Sequence, residues 1–393
     1  MGTVASAASA IIVLFFGLSC LHLGEGSWGQ LDKTEKTLCG LMILFFGACV
    51  LSFINSSDPL KSLARLERLL RILAFIPIFL YVRKTGVELL KPLTYGFIAS
   101  GYAIFVSNLI TSAGGRASGG YNPILFGDFA SLTSAILLTI VLQDKQSATL
   151  KLITLGSLAL SLISLVDSGT RGAWAGFVVA VFVIFILSLL KSEGFQTLLK
   201  RLALPLLVIF VLLNFSTVNI KIQSGIATAT QEVGGYLSGT NPHTSLGYRF
   251  QMWEAAVKMW EKNPFIGSGL GDYSRDLAAM MQSGETEITA HFGEGHSLFF
   301  EFLATTGTFG ILLCIISLFF LPAMIAVRAI RESQTTPKAA CFLLVIVVSF
   351  FTFGLTQNWL GRSSITSTYL LLLAILLGST RQFRSSSRSC QQC

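Results

Sequence analysis

The chain alternates long apolar blocks with short polar joints, and the block lengths alone predict its architecture. A helix rises about 1.5 Å per residue, so crossing about 30 Å of hydrocarbon takes about 20 mostly apolar residues. Eleven blocks read as candidate spans, over residues 5–23, 37–55, 69–83, 93–111, 124–142, 149–166, 172–190, 198–215, 303–327, 339–356 and 364–380. The first lacks a basic leading region and a small-residue cleavage site, so it reads as a span rather than a cleaved signal. One long polar stretch interrupts the series, from about Ser216 to His296. The expected organisation is therefore a transmembrane part (1–215), a large loop with amphipathic helices (216–296), and C-terminal spans with a basic tail (297–393). The fold class is an all-α polytopic membrane protein, a bundle of about 11–12 transmembrane helices.

Composition supports this reading: 52% of residues are hydrophobic and only 12% charged, whereas a soluble domain is about a quarter charged. The net charge of +8 calls for no nucleic-acid partner, because the bases sit in short clusters between apolar blocks. The clusters are Arg83, Lys84 and Lys91; Lys145 and Lys151; Lys191, Lys200 and Arg201; Arg328, Arg331 and Lys338; and Arg381, Arg384 and Arg388. They follow every second block, which marks the cytoplasmic side. The long loop then faces outward, to the periplasm in a Gram-negative inner membrane, and Arg116, Arg171 and Arg362 fall on that side with it. Eleven spans with the C-terminus inside put Met1 outside, which points to one more span, missing from the N-terminus or hidden in the count. The segment Asp58–Arg71 is basic yet falls on the outer side. Its helical spacing predicts a helix lying along the membrane interface, with a wrong span count nearby as the competing explanation. The seven cysteines avoid the long loop, so no disulfide framework is expected there, and the terminal CQQC lacks the second pair a metal site needs.

Four residues carry the candidate chemistry. Arg171 lies in a tight turn, DSGTRGAWAG, between two apolar blocks on the side where topology disfavours positive charge, which suits an anion. Arg116 lies among glycines in AGGRASGGYNPILFGD, where open backbone N–H groups also suit an anion. Arg249 falls on a helix expected to be capped by Thr244 or Ser245, to begin near Leu246 and to stop before Pro264, with Met252, Trp253, Ala256, Met259 and Trp260 as one apolar face. His296 sits where the polar loop passes into an apolar helix, and imidazole takes a proton near neutral pH, as a sugar hydroxyl requires before it attacks. The glycines of FIGSGLGDY have no preceding strand and make no dinucleotide fingerprint. They are expected to let the backbone approach a ligand. His291, Glu294 and His296 lack the spacing of a standard metal site. The carboxylates Asp272, Asp276, Glu285, Glu287 and Glu294 read as a solvated face.

TSLGYR, WEAAVKMWEKNPFIGSGLGDY, GHSLFFEFLATTGTFG and FGLTQNWLGR, preceded by GGYNPILFGD and TRGAW, resemble the O-antigen ligase and polymerase superfamily over about Arg116 to Arg362. TSLGxR and the GLTQ…R segment resemble the ligases more closely. The resemblance implies a GT-C-like, all-helical glycosyltransferase of about twelve spans that works without a metal, nucleotide sugar or other cofactor. It implies transfer of a glycan from undecaprenyl pyrophosphate to a sugar of lipid A–core. The superfamily's pyrophosphate-binding arginines fall on Arg171 and Arg249, with Arg116 at a further basic position, and its essential histidine on His296. The chain departs from the common HxHN pattern, carrying Glu294 for the first histidine and Ser297 for the asparagine.

Overall fold

The computed structural model describes residues 27–111, 115–120, 122–143, 146–190, 203, 216–333 and 337–380. The expected spans 5–23 and 198–215, and most of the basic tail, lie outside the described residues. Every regular element among the described residues is helical, so the chain is an all-α polytopic membrane protein. The helices are α1 (Lys33–Leu51), α2 (Pro59–Thr85), α3 (Leu90–Thr111), α4 (Pro123–Gln143), α5 (Ala148–Asp167), α6 (Arg171–Leu190), α7 (Ser216–Leu237), α8 (Ser245–Lys262), α9 (Tyr273–Ser283), α10 (Leu298–Cys314), α11 (Leu321–Glu332), α12 (Lys338–Thr356) and α13 (Ser363–Ser379). Among the described residues seven stretches are long and apolar enough to cross a membrane: Lys33–Asn55, Leu90–Thr111, Pro123–Leu142, Ala148–Asp167, Arg171–Leu189, Leu298–Glu332 and Lys338–Thr356. Ser363–Ser379 is apolar but shorter.

The basic segment 58–71 forms the N-terminal half of α2, with no break between it and the expected span 69–83. Several of its polar side chains turn into the protein, while Glu67 stays exposed. The Ser62 hydroxyl accepts from the Gly271 N–H at 3.1 Å, Lys61 reaches the Ser274 hydroxyl, and Arg71 is buried.

The chain divides into two compact units. The first comprises the described part of 1–84 with 227–322 and 354–374; the second comprises 85–226 with 323–353 and the described part of 375–393.

In the first unit α10 is the centre, packed against α1, α8 and α9. Phe45 of α1 meets Phe302 at 5.7 Å between ring centroids, and Trp253 of α8 stacks on Phe300 at 5.1 Å. Helix α10 is broken at Gly307, whose φ of 65° and ψ of −170° no L-residue adopts comfortably. A break in an apolar helix strands backbone groups where there is little water to serve them. The strap between α8 and α9 serves them instead. Ser268 and Gly269 donate N–H groups to the carbonyls of Ala304 and Thr305, at 3.0 and 3.1 Å. Thr308 and Phe309 donate theirs to the carbonyls of Pro264 and Phe265, at 2.8 and 3.2 Å. Farther along, Pro322 has no N–H to offer the preceding turn. Residues Ile315–Phe320 widen into a π-helix there, and the Tyr369 hydroxyl donates to the Leu318 carbonyl.

In the second unit α4 is buried along its length, with α3, α5 and α6 around it. Small residues permit the close approach that membrane helices need in place of a hydrophobic driving force. A Cβ on Gly101 of α3 would lie 2.1 Å from the Ser157 hydroxyl of α5, which donates to the Ile98 carbonyl at 2.7 Å. The Ser134 and Ser161 hydroxyls pair at 2.8 Å between α4 and α5.

Candidate functional site

Helix α8 begins as the sequence predicts, with the Thr244 hydroxyl accepting from the Gly247 N–H at 3.1 Å, and it ends at Lys262. Gly247, Gln251, Met252, Ala255, Ala256 and Met259 form its buried face. Trp253 and Trp260 sit at the edges of that face, half-buried, and the Trp260 indole donates to the Thr308 hydroxyl at 2.9 Å. This packing fixes the helix that carries Arg249.

His296 is the one non-glycine residue with positive φ among the described residues, at 46°. That left-handed conformation costs an ordinary residue about 1–2 kcal/mol, and such strain persists only where neighbours over-determine the backbone. The Gly295 N–H donates to the buried Glu301 carboxylate at 2.9 Å, and a Cβ on Gly295 would lie 3.0 Å from the Tyr273 ring. Past His296, the Ser297 hydroxyl donates to the Gly354 carbonyl at 3.3 Å and the Leu298 N–H to the Gln357 carbonyl at 3.2 Å. The Phe292 ring stands edge-on to the imidazole at 6.0 Å.

The imidazole is half-buried, and burial is the largest influence on it, pushing its proton affinity below the usual histidine value. Arg249 and Arg362 push the same way, while Glu294 opposes them. His296 is therefore held in the neutral, proton-accepting form at neutral pH. Arg362 Nη2 lies 2.5 Å from Glu294 Oε1. Behind this pair, Arg68 donates to the Gly361 carbonyl at 3.1 Å and Arg65 lies 3.7 Å from Glu301. Asn358 flanks Glu301 and caps the Trp359–Gly361 turn that delivers Arg362.

Arg116 and Arg171 belong to the second unit and come together there. Arg116 Nε donates to the Ser168 carbonyl at 2.7 Å and Nη2 to the Thr170 hydroxyl at 3.1 Å. The turn that permits this contains Gly169 at φ 59°, where a Cβ would lie 3.1 Å from Arg116 Nε. Arg171 opens α6 immediately afterwards. Desolvation lowers the proton affinity of Arg116 and the Arg171 charge lowers it further, as expected of two cations close enough to repel. Asp167 anchors the turn, accepting from Asn108 at 2.8 Å and pairing with Lys221 at 2.5 Å. An arginine pair at a fixed turn beside a membrane span is suited to phosphate oxygens. An apolar cavity of about 390 Å³ in this unit, lined by residues of α5, α6 and α7, includes Leu162, Val166, Trp174, Phe177 and Ile222.

Two expectations are overturned. The glycines of FIGSGLGDY bring backbone against backbone, not against a ligand: a Cβ on Gly267 would meet Thr305 at 2.3 Å, one on Gly269 would meet Ser56 at 2.7 Å, and one on Gly271 would meet Ser62 at 2.7 Å. Asp272 is not part of a solvated face either. It is fully buried and accepts from the N–H groups of Ser57 and Asp58 and from the Ser56 hydroxyl. His243 and His291 are exposed, and no three His, Cys, Asp or Glu side chains among the described residues are placed to hold a metal. Arg65, Arg68 and Glu301 escaped the sequence reading as site residues. Their signal was there: two bases on the side where bases are disfavoured, and one acid in the first turn of an apolar helix.

Residues 156–315 match the family model described as O-Antigen ligase. The chain is also similar to an uncharacterized protein of Haemophilus influenzae (strain ATCC 51907 / DSM 11121 / KW20 / Rd), with 25% identity over 349 residues, 85% of this chain and 83% of the relative.

Proposed function

We propose that this chain, a multi-pass membrane protein of the O-antigen ligase superfamily, transfers O-antigen glycan from undecaprenyl pyrophosphate to a sugar of lipid A–core at the periplasmic face of the bacterial inner membrane. The superfamily acts on lipid-linked glycans; the donor, the acceptor and the side of the membrane are the proposal. The observation that carries it is His296: a strained, neutral imidazole set among Arg249, Arg362 and Glu294, at the point where the polar loop enters a membrane span.

The chemistry follows from that arrangement. Breaking the glycosidic bond to a pyrophosphate places growing negative charge on the leaving oxygens. Guanidiniums stay charged at any working pH and grip phosphate through two parallel hydrogen bonds. Arg249 beside His296, and Arg171 with Arg116 in the second unit, are the groups we assign to anion binding. Fixed positive charge aimed at a developing anion is commonly the largest catalytic contribution. His296 takes the proton of the acceptor hydroxyl as its oxygen attacks the anomeric carbon opposite the pyrophosphate, which inverts that centre. Burial supports this role, because a histidine already protonated at neutral pH accepts nothing.

The deciding experiment is transfer by purified protein in detergent, using lipid-linked glycan with either lipid A–core or a second lipid-linked glycan as acceptor. Product on lipid A–core alone is expected. Product on the lipid-linked acceptor instead would make the protein a polymerase. No product with either acceptor, from folded protein, would overturn the transferase reading.

A further inference from the structure

Charged groups gather around His296: Arg249, Arg362 and Glu294 act on the imidazole itself, and Arg68 and Arg65 stand behind Arg362, facing Glu67, Glu294 and Glu301. Glu301 is buried and committed, accepting from the Gly295 N–H and facing Arg65. Glu294 is different. Its side chain is 14% exposed and its partner Arg362 is 40% exposed, so their pair sits at the open edge of the cluster, beside the imidazole. Arg362 also springs from a rigid base. The Trp359–Gly361 turn that precedes it is capped by Asn358, braced by Arg68 on the Gly361 carbonyl, and founded on the fully buried Trp359 ring. A guanidinium on a fixed turn, half open to solvent and held by one carboxylate, can exchange that carboxylate for another anion without moving the backbone.

Resting on the glycosyl-transfer reading above, we propose that Arg362 is a further donor-binding residue and that Glu294 is its resident counter-ion, displaced when the donor's pyrophosphate arrives. The phosphate oxygens of a pyrophosphate compete with Glu294 for the same Arg362 N–H donors. The pairing is a filter as well as a binding device. A weak or singly charged anion does not repay the loss of the Glu294–Arg362 contact, whereas a bidentate pyrophosphate does.

The test is a double-mutant cycle on binding of inorganic pyrophosphate to the full-length purified protein in detergent, with no transfer reaction involved. Glu294→Gln is expected to tighten binding about threefold to tenfold, because the anion no longer competes with a carboxylate. Arg362→Gln is expected to weaken it about tenfold or more, with Arg362→Lys falling between. In the Glu294→Gln/Arg362→Gln protein the gain from Glu294→Gln should vanish, since it acts through Arg362. A structural role for either residue would not produce tighter binding. If Glu294→Gln leaves affinity unchanged or lower, or if its gain persists in the Arg362→Gln background, the proposal is overturned. Failure of the transfer assay with an intact cycle would remove the glycosyltransferase reading and leave the anion site standing.

Discussion

Gly267→Ala tests whether the strap between α8 and α9 holds the broken helix α10 together. The new Cβ would lie 2.3 Å from the Thr305 carbonyl carbon and 2.4 Å from the Thr306 nitrogen, both backbone atoms that no rotamer change can clear. Gly267 also has φ of 72°, which costs an alanine about 1–2 kcal/mol. Lifting the strap stretches the four backbone hydrogen bonds that serve the break at Gly307. Each is worth about 1 kcal/mol net in water, and more where water cannot replace it. Losing two of them together with the φ penalty predicts a destabilisation of roughly 3–4 kcal/mol. The control is Gly234→Ala in α7, where a Cβ meets nothing within 4 Å and the backbone is helical. Alanine there should stabilise by about 0.5–1 kcal/mol. Denaturation of both proteins in micelles, followed by circular dichroism, gives the comparison. If Gly267→Ala stays within about 1 kcal/mol of the parent, the strap does not secure the break and the reasoning is wrong.

Other outcomes follow from the site. His296→Asn, a residue that tolerates the left-handed region, should fold as stably as the parent. It should also transfer about 100-fold or more slowly, whereas His296→Ala should lose both activity and roughly 1 kcal/mol of stability; equal stability of the two variants would argue against backbone strain. For pH, the histidine's folded proton affinity lies below its unfolded value, so the unfolded chain binds more protons. Stability should therefore fall as pH drops below about 6.5, and the acid limb of the transfer rate should lie below that value; thermal scans at two pH values would show the slope, which His296→Asn should flatten. Asp272→Ala leaves the N–H groups of Ser57 and Asp58 without their buried acceptor, at an expected cost of roughly 2–4 kcal/mol measurable by denaturation in micelles.

Block length determined the helical fold, because a membrane offers backbone groups no partner outside the helix and spacing of apolar residues is enough to announce a span. The start of α8 was equally legible, since a cap such as Thr244 and a stop such as Pro264 are local chemistry. The candidate residues His296, Arg249, Arg171 and Arg116 stood out because charge beside apolar blocks is costly and so conspicuous. What tertiary structure decided was the meaning of residues whose partners lie far along the chain. The glycines at 267, 269 and 271 read as a ligand loop until their neighbours proved to be backbone at Thr305, Ser56 and Ser62. The bases of 58–71 read only as charge on an interface helix; the fold sets Arg65 against Glu301 and Arg68 against the Gly361 carbonyl. Glu294 was one more loop carboxylate until Arg362, 68 residues away, came within 2.5 Å of it. Local propensity and hydropathy act over a few turns of chain; charge pairing and the clearance around a Cβ depend on which distant segments fold into contact.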